Sequence, residues 1–438
     1  MTIGLLLAWA AGAAAVESHP LTSDDCVVIA MRQAARIHAA QADADGLHAQ
    51  AAQVEAEIAP RFSALAFVSP MFGGEGGFGF GKPYQHDLSR WGPYGHAEAR
   101  IVQPLYTFGR YSNGLHAARE RAAAEDEKVR EVSHAVRREV RRLCGLRLYA
   151  RSLQPTLEST RKILTEAIAQ AEEMHGRGTG EVTLPDLMRL QYGAGELERY
   201  QRQAVDGAVL AARALGQAMG LPVEAPMEFA ADRLTLESGE LPSVEALVAE
   251  AVRNRPETAQ LRHAREAVAA WETSERRANA PALFVAAAGQ VDASPVRPSE
   301  KSAVAANAYN DYFVGAAVGA QFNTNFGSVS AHAAEAHAKS EWVRAEEALA
   351  ETGIPLQVWK ARQELVQHRE LAAVADREVV HTRKWMTFAA AAYGTGTGEA
   401  KDVLEGAAAH VMAKKAFYDH LLAASEAAAD LEQAVGRP

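Results

Sequence analysis

Four landmarks of this 438-residue chain recur at almost one spacing. Pro60 and Pro281 lie 221 residues apart, Gly109 and Gly327 lie 218 apart, and both Gly178 with Gly394 and Asp186 with Asp402 are separated by 216. The landmarks fall in segments of different character, so a near-constant offset across all of them is the signature of a duplicated unit. Each copy reads helix, two strands, long helix, glycine turn, helix. On this reading residues 17–221 are the first repeat, 222–242 a linker and 243–438 the second repeat.

In the first copy Asp24 to Ala59 predicts one helix, with Thr22 to Asp24 offering capping oxygens and Pro60 closing it. Phe62 to Val68 and His96 to Val102 are strand candidates. Between them Gly73, Gly74, Gly76, Gly77, Gly79 and Gly81 work against regular structure, so residues 70–94 read as a loop. Gln103-Pro104-Leu105 ends the second strand. Helical patterning then runs from Gly109 toward His175 with an interruption at Pro155. At 1.5 Å per residue such a segment is on the order of 100 Å long and must pack against other rods. Gly176, Gly178 and Gly180 turn the chain into a helix from Thr183 to Met219, where Leu190, Leu197, Ala204 and Ala211 recur every seven residues, the period of a coiled-coil seam.

The second copy begins a helix at Leu241-Pro242-Ser243-Val244 that ends before Pro281. Ala282 to Val291 and Asp311 to Phe322 are its strands, around a polar loop. A helix from Ser328 to Ala392 is broken at Pro355, in loose correspondence with the interruption in the first copy. Gly394, Gly396 and Gly398 make the turn, and Glu399 to Val435 finishes with Leu404, Val411 and Tyr418 seven residues apart.

Composition narrows the function. The net charge of -10 gives no polyanion-binding surface, and Arg137, Arg138, Arg141 and Arg142 are interleaved with Glu131 and Glu139, which argues against nucleic acid as a partner. No dinucleotide, phosphate-loop or metallohydrolase motif is present, and no cofactor, metal centre or catalytic residue is expected. His38, His48, His116 and His134 suit helical surfaces better than a ligand set. Cys26 and Cys144 make no disulfide framework or metal cluster and read as packing or surface residues. Met1 to Val16 is apolar and ends in small residues like an export signal cleaved near Ala15, although it lacks a basic start. No later stretch reaches eighteen apolar residues, so a membrane span would have to be built from strands.

The phrase Val102-Gln103-Pro104-Leu105-Tyr106-Thr107-Phe108-Gly109-Arg110, followed by Gly178-Thr179-Gly180-Glu181-Val182-Thr183-Leu184-Pro185-Asp186-Leu187 and by Leu215-Gly216-Gln217-Ala218-Met219-Gly220, resembles the TolC-like outer membrane efflux protein family over nearly the whole chain after the signal. The resemblance implies a mainly α protein with a β-barrel portion. In it a homotrimer, four strands per chain, closes a 12-stranded outer-membrane β-barrel continued by a periplasmic α-helical barrel. The implied function is a passive exit duct of a tripartite efflux or type I secretion system, working with a periplasmic adaptor (membrane fusion) protein and an inner-membrane pump. The implied location is the cell outer membrane, in contact with its lipid and extending into the periplasm. The periplasmic tip or gate would hold Gly176, Gly178, Gly180, Asp186, Gly394, Gly396, Gly398 and Asp402. The strand-helix junctions would hold Gln103, Pro104, Gly109, Phe322 and Gly327. The second copy departs from the family phrase with Gln321-Phe322-Asn323-Thr324-Asn325-Phe326-Gly327. The alternative is a coiled-coil scaffold with no transport role, and an enzyme is not expected.

Overall fold

The computed structural model describes residues 20–75, 85–177, 182–230, 233–235, 239–299, 307, 309–322 and 326–437. The apolar Met1 to Val16 segment, Gly178, Gly180 and Asn323-Thr324-Asn325 lie outside the described residues. The elements are α1 (Ser23–Gln33), α2 (Ala35–Ala56), β1 (Arg61–Glu75), β2 (Gln85–Tyr106), α3 (Arg110–Gly176), α4 (Leu184–Ala218), α5 (Val244–Asn254), α6 (Pro256–Arg276), β3 (Ala282–Ala293), β4 (Asp311–Gln321), α7 (Phe326–Gly394) and α8 (Ala400–Val435). They fall into two compact units, and each unit draws segments from both sequence repeats.

One unit, built from residues up to Gln41, Glu127–Thr258 and the chain from Leu349 onward, is helical. Two of its cores are copies of each other. Cys26, Ala30, Val136, Val140, Leu215 and Met219 are buried together, as are Leu247, Ala251, Ile354, Val358, Leu431 and Val435. Each member of the second set stands 221, 218 or 216 positions beyond its counterpart in the first. Cys26 and Cys144 are both packing residues of the first core. The neighbouring Cys144 side chain, followed by burial, pushes the Cys26 thiol up, holding it neutral.

The copies also share a helix break that sequence patterning does not reveal. The expected helix from Asp24 to Ala59 is two helices, separated at Ala34 (φ -64°, ψ 119°). The expected helix before Pro281 is likewise two, separated at Arg255 (φ -67°, ψ 130°). At Arg255 the cause is local, because Pro256 disfavours helical backbone in the residue before it. At Ala34 there is no proline, and the break is met by Gly220, whose φ of +77° brings it so close that a Cβ would lie 2.3 Å from the Gln33 carbonyl oxygen. Gly436 (φ +72°) repeats the approach, with the Asn254 carbonyl carbon 2.7 Å from where a Cβ would stand. At the start of α1, Thr22 accepts a hydrogen bond from the Asp25 amide while the Asp25 carboxylate accepts one from the Thr22 amide, so Asp25, not Asp24, completes the cap.

Neither Pro155 nor Pro355 interrupts its helix: α3 runs 67 residues and α7 runs 69. The two prolines stand 200 positions apart and are not repeat equivalents. A proline deletes one hydrogen bond of the ladder, and a long helix packed along its sides can bend and continue. The expected seam of α4 is correct, with Leu190, Leu197, Ala204 and Ala211 all buried. In α8 the buried series is instead Ala400, Val403, Ala407 and His410, at three- and four-residue spacing, and Leu404 and Val411 are half-buried on its flank.

The other unit, Ala42–Asp126 with Ala259–Ala348, contains the four strands in the order β1-β2-β3-β4, every pair antiparallel. The strands are longer than the sequence suggests. Gly73 and Gly74 lie inside β1, paired with Asp87 and His86 after a register shift at Phe72/Gly73, so the expected loop at 70–94 is in large part strand. Gln103 and Pro104 do not end β2, which continues to Tyr106. Pro104 sits opposite Phe284 and Tyr106 opposite Leu283, leaving Leu105 as the extra residue of a bulge, a position that tolerates proline. Cross-strand hydrogen bonds made along the whole ladder outweigh the local preference of these glycines and of the proline.

Candidate functional site

Two regions carry the features expected of a conduit, one in each unit. In the helical unit α3 ends at Gly176 and α4 begins after Thr183. The backbone amide and hydroxyl of Thr183 both donate to Asp186 Oδ2, and Arg189 approaches Asp186 Oδ1 at 3.3 Å. The Thr183 hydroxyl holds the Asp186 carboxyl below the usual carboxylate range. The equivalent turn after α7 closes on itself: the amides of Thr397 and Gly398 both donate to the Ala392 carbonyl at 3.0 Å, and Gly396 has φ +76°. A Cβ on Gly398 would stand 2.9 Å from the backbone nitrogen of Tyr393, so this position needs glycine.

Asp186, Gly396 and Gly398 line one cavity of about 240 Å³, together with Tyr393 and Glu399. Tyr393 is buried, and its hydroxyl has no hydrogen-bond partner among the described residues. Burial first, then the charge of Asp186, pushes its phenol up, so it stays a neutral donor. Gly176 and Gly394 are the last residues of α3 and α7 and do not line this cavity. Asp402 is exposed, with no side-chain hydrogen bond among the described residues. Its amide donates to the Glu399 carbonyl, as the Asp186 amide does to Thr183. Thus the two aspartates share a backbone position and differ in side-chain role. Tyr393 and Glu399 escape sequence reasoning, since a tyrosine before a glycine turn carries no pattern until the turn folds over it.

Nearer the middle of α4 and α8, an apolar groove of about 250 Å³ lies between the two helices. Leu164, Tyr192, Leu197, Leu404, Val411 and Met412 contribute to it, with Tyr192 70% exposed. Gly193 allows Leu404 to approach, a Cβ there standing 2.2 Å from Leu404 Cδ1.

In the sheet unit, the pairing registers sort every residue to one of two faces, because directly opposed residues of antiparallel strands point the same way. One face carries Phe62, Ala64, Ala66 and Val68 of β1, then Ile101, Ala99 and Ala97 of β2. It continues with Leu283, Val285, Ala287 and Val291 of β3, and with Val318, Ala316, Val314 and Tyr312 of β4. No charged side chain occurs among these residues, and Val68, Val314 and Val318 are 76%, 84% and 78% exposed. The opposite face is mixed: it carries Arg61, Ser63, Arg100, Glu98, His96, Gln290 and Asp292 alongside the exposed Leu65, Phe67 and Phe313. There Asp292 is buried and accepts from Tyr94 at 2.5 Å, with His96 Nδ1 at 2.7 Å. Among the described residues the outer edges of β1 and β4 have no strand neighbour.

The junction residues act by different means. Gln103 donates to the Ile58 and Pro104 carbonyls, fixing the end of α2 to β2. Gly109 has φ +86° and its carbonyl accepts from Asn113 at the start of α3, while Arg277 donates to the Phe108 carbonyl beside it. Phe322 is exposed just beyond β4, which ends at Gln321. Gly327 is already the second residue of α7, so it does not reproduce the turn at Gly109.

No described helix is long and apolar enough to cross a membrane. No protein-family profile matches the sequence, and no curated protein is matched by it. Solved structures are matched closely in shape. The outer-membrane channel OprN is 15% identical with a TM-score of 0.79, covering 95% of this chain and 90% of its own. The Campylobacter jejuni CmeC outer membrane channel is 12% identical with a TM-score of 0.78, covering 94% and 85%. The outer membrane protein VceC from Vibrio cholerae is 16% identical with a TM-score of 0.75, covering 94% and 96%. The four-stranded sheet with its long helices is therefore a known architecture: this chain has the fold of the TolC-like outer-membrane channels.

Proposed function

We propose that three copies of this chain form a passive outer-membrane exit duct, serving an efflux or secretion system. The carrying observation is the sheet with one uncharged, exposed apolar face, one charged face and two unpaired edges. In hydrocarbon every backbone donor and acceptor needs a partner, so an open four-stranded sheet cannot stand there. Known single-chain barrels begin at eight strands, and three copies of this sheet supply twelve. The apolar face would meet lipid and the charged face a water-filled lumen. The eleven residues of β4 and twelve of β3 suit a tilted span.

In this reading residues 1–16 are the export signal, and 17–221 and 243–438 are two copies of one unit joined by 222–242. The turns at Gly176 to Gly180 and Gly394 to Gly398 form the periplasmic tip, and an inner-membrane pump supplies the energy. The apolar groove between α4 and α8 suits a helix of a periplasmic adaptor, because Tyr192 and Met412 are exposed along it. Asp186, bonded to Thr183, braces the tip beside Tyr393, while the exposed Asp402 has no side-chain bond among the described residues.

The test is assembly and conduction. Protein recovered from outer membranes in detergent is expected to run as a heat-modifiable trimer and to give discrete conductance steps in a planar bilayer. A folded monomer, stable without detergent and inert in bilayers, would overturn the duct. An Asp186→Ala/Asp402→Ala double variant with unaltered conductance would remove the gate assignment and leave the duct standing.

A further inference from the structure

Among the described residues, one place gathers three side chains with metal-ligating atoms within 4.8 Å of one another: His116, Glu120 and Glu266. All three belong to the sheet-containing unit. His116 and Glu120 are four residues apart on α3, and Glu266 lies on α6, three residues beyond His263. Those spacings put each pair on one face of its helix. The carboxylate of Glu120 is divided between the two histidines: Oε1 faces His116 Nδ1 at 3.8 Å and Oε2 meets His263 Nδ1 at 2.7 Å. Glu266 makes no ion pair or hydrogen bond among the described residues. Arg119 and Arg265, the sequence neighbours of Glu120 and Glu266, pair with Glu55 and Glu347.

We propose that His116, Glu120 and Glu266 bind a borderline divalent cation, Zn²⁺ being the probe of choice, and that His263 orients the Glu120 carboxylate. Two carboxylates and a neutral imidazole carry two negative charges into one small space, which a divalent ion neutralises. One nitrogen and two carboxylate oxygens form a donor set that suits zinc, with water completing four-coordination. In such a site donor atoms stand roughly 3.3 Å apart. The required contraction, from separations of at most 4.8 Å, is a side-chain movement open to the exposed His116 and Glu266. Glu120 is already held from behind by His263, the arrangement by which a second histidine or carboxylate fixes a ligand. His116, which suited a plain helical surface when read from sequence, thus gains a specific partner set only when α3 and α6 are brought together. A bound ion would clasp these two helices beside the sheet, a role independent of what passes through the duct.

The test uses full-length protein purified in detergent without a polyhistidine tag, stripped with chelator and titrated with zinc chloride at pH 7.5 by calorimetry. The expected result is one ion per chain, with a raised melting temperature in the loaded form. His116→Gln and Glu266→Gln are expected to weaken binding at least about tenfold, and His263→Gln to weaken it by about tenfold without changing the stoichiometry. Circular dichroism of each variant establishes that it is folded. Cobalt substitution, read by its visible absorption, reports the loss of a nitrogen ligand in His116→Gln directly. Absence of saturable one-per-chain binding in the wild type would overturn the proposal, and so would equal affinity in the folded His116→Gln and Glu266→Gln variants.

Discussion

Gly220 and Gly436 hold the two copies to one geometry, each lying in left-handed backbone against a break between consecutive helices. A methyl group at either would both strain φ and meet a peptide group within 3 Å. Gly220→Ala and Gly436→Ala are each expected to destabilise the helical unit by about 1–3 kcal/mol, read as a lowered melting temperature. Gly207→Ala is the control. It sits in α4 with nothing near its would-be Cβ, and alanine there should stabilise by about 0.5–1 kcal/mol. His410 governs a pH response at the same scale. It is buried in α8, and burial, followed by the charges of Lys414 and Arg383, lowers its pKa from 6.5. The unfolded chain therefore takes up this proton before the folded one does. Stability from His410 is full above about pH 6.5 and is lost as the pH falls from there through the lower folded value. In His410→Gln, melting temperatures between pH 7.5 and 5 should fall less steeply than in the parent, and parallel curves would remove the assignment.

Helices and strands differ in how far their own sequence determines them. The seam Leu190, Leu197, Ala204, Ala211 is legible because a seven-residue period survives any context, and all four are buried. The true buried series of α8 is not, since alanines dominate that helix and a period among small residues hardly stands out from its neighbours. Strand ends are hidden in the sequence for another reason. Glycine and proline lower local preference, but Gly73, Gly74 and Pro104 are carried by pairing with residues far along the chain. Cap residues show the same split between backbone and side chain. Asp186 and Asp402 stand at equivalent repeat positions, yet Asp186 is bonded by Thr183 while Asp402 follows Glu399 and has no such bond. Asp186→Ala is expected to cost about 0.5–1 kcal/mol and to speed amide exchange over the first turn of α4, with Asp402→Ala changing α8 far less. Equal exchange in both variants would mean that the Thr183 contact contributes nothing.

The molecule as a whole is decided by a surface that one chain leaves unsatisfied. The duplication, visible as a near-constant offset, accounts for two pairs of strands but does not say which residues share a face; only the register does. Ala64, Ala99, Ala287 and Ala316 fall on one face with Val68, Val314 and Val318, while Glu98, Arg100 and Asp292 fall on the other. A short strand rich in alanine and glycine gives too weak an alternation for this to be read along one segment. If the apolar face meets lipid, Val314→Arg and Val318→Arg each place a charge in hydrocarbon at a cost of about 2–4 kcal/mol near the midplane, repeated in all three copies. Both variants should accumulate as unassembled protein, measured as loss of the heat-modifiable trimer from outer-membrane fractions. Glu98→Gln and Arg100→Gln, on the charged face of the same sheet, should assemble normally and change only the ion selectivity of the conductance. Should the arginine variants assemble as well as the parent while the glutamine variants fail, the two faces would have to be exchanged, and with them the side on which the duct carries its water.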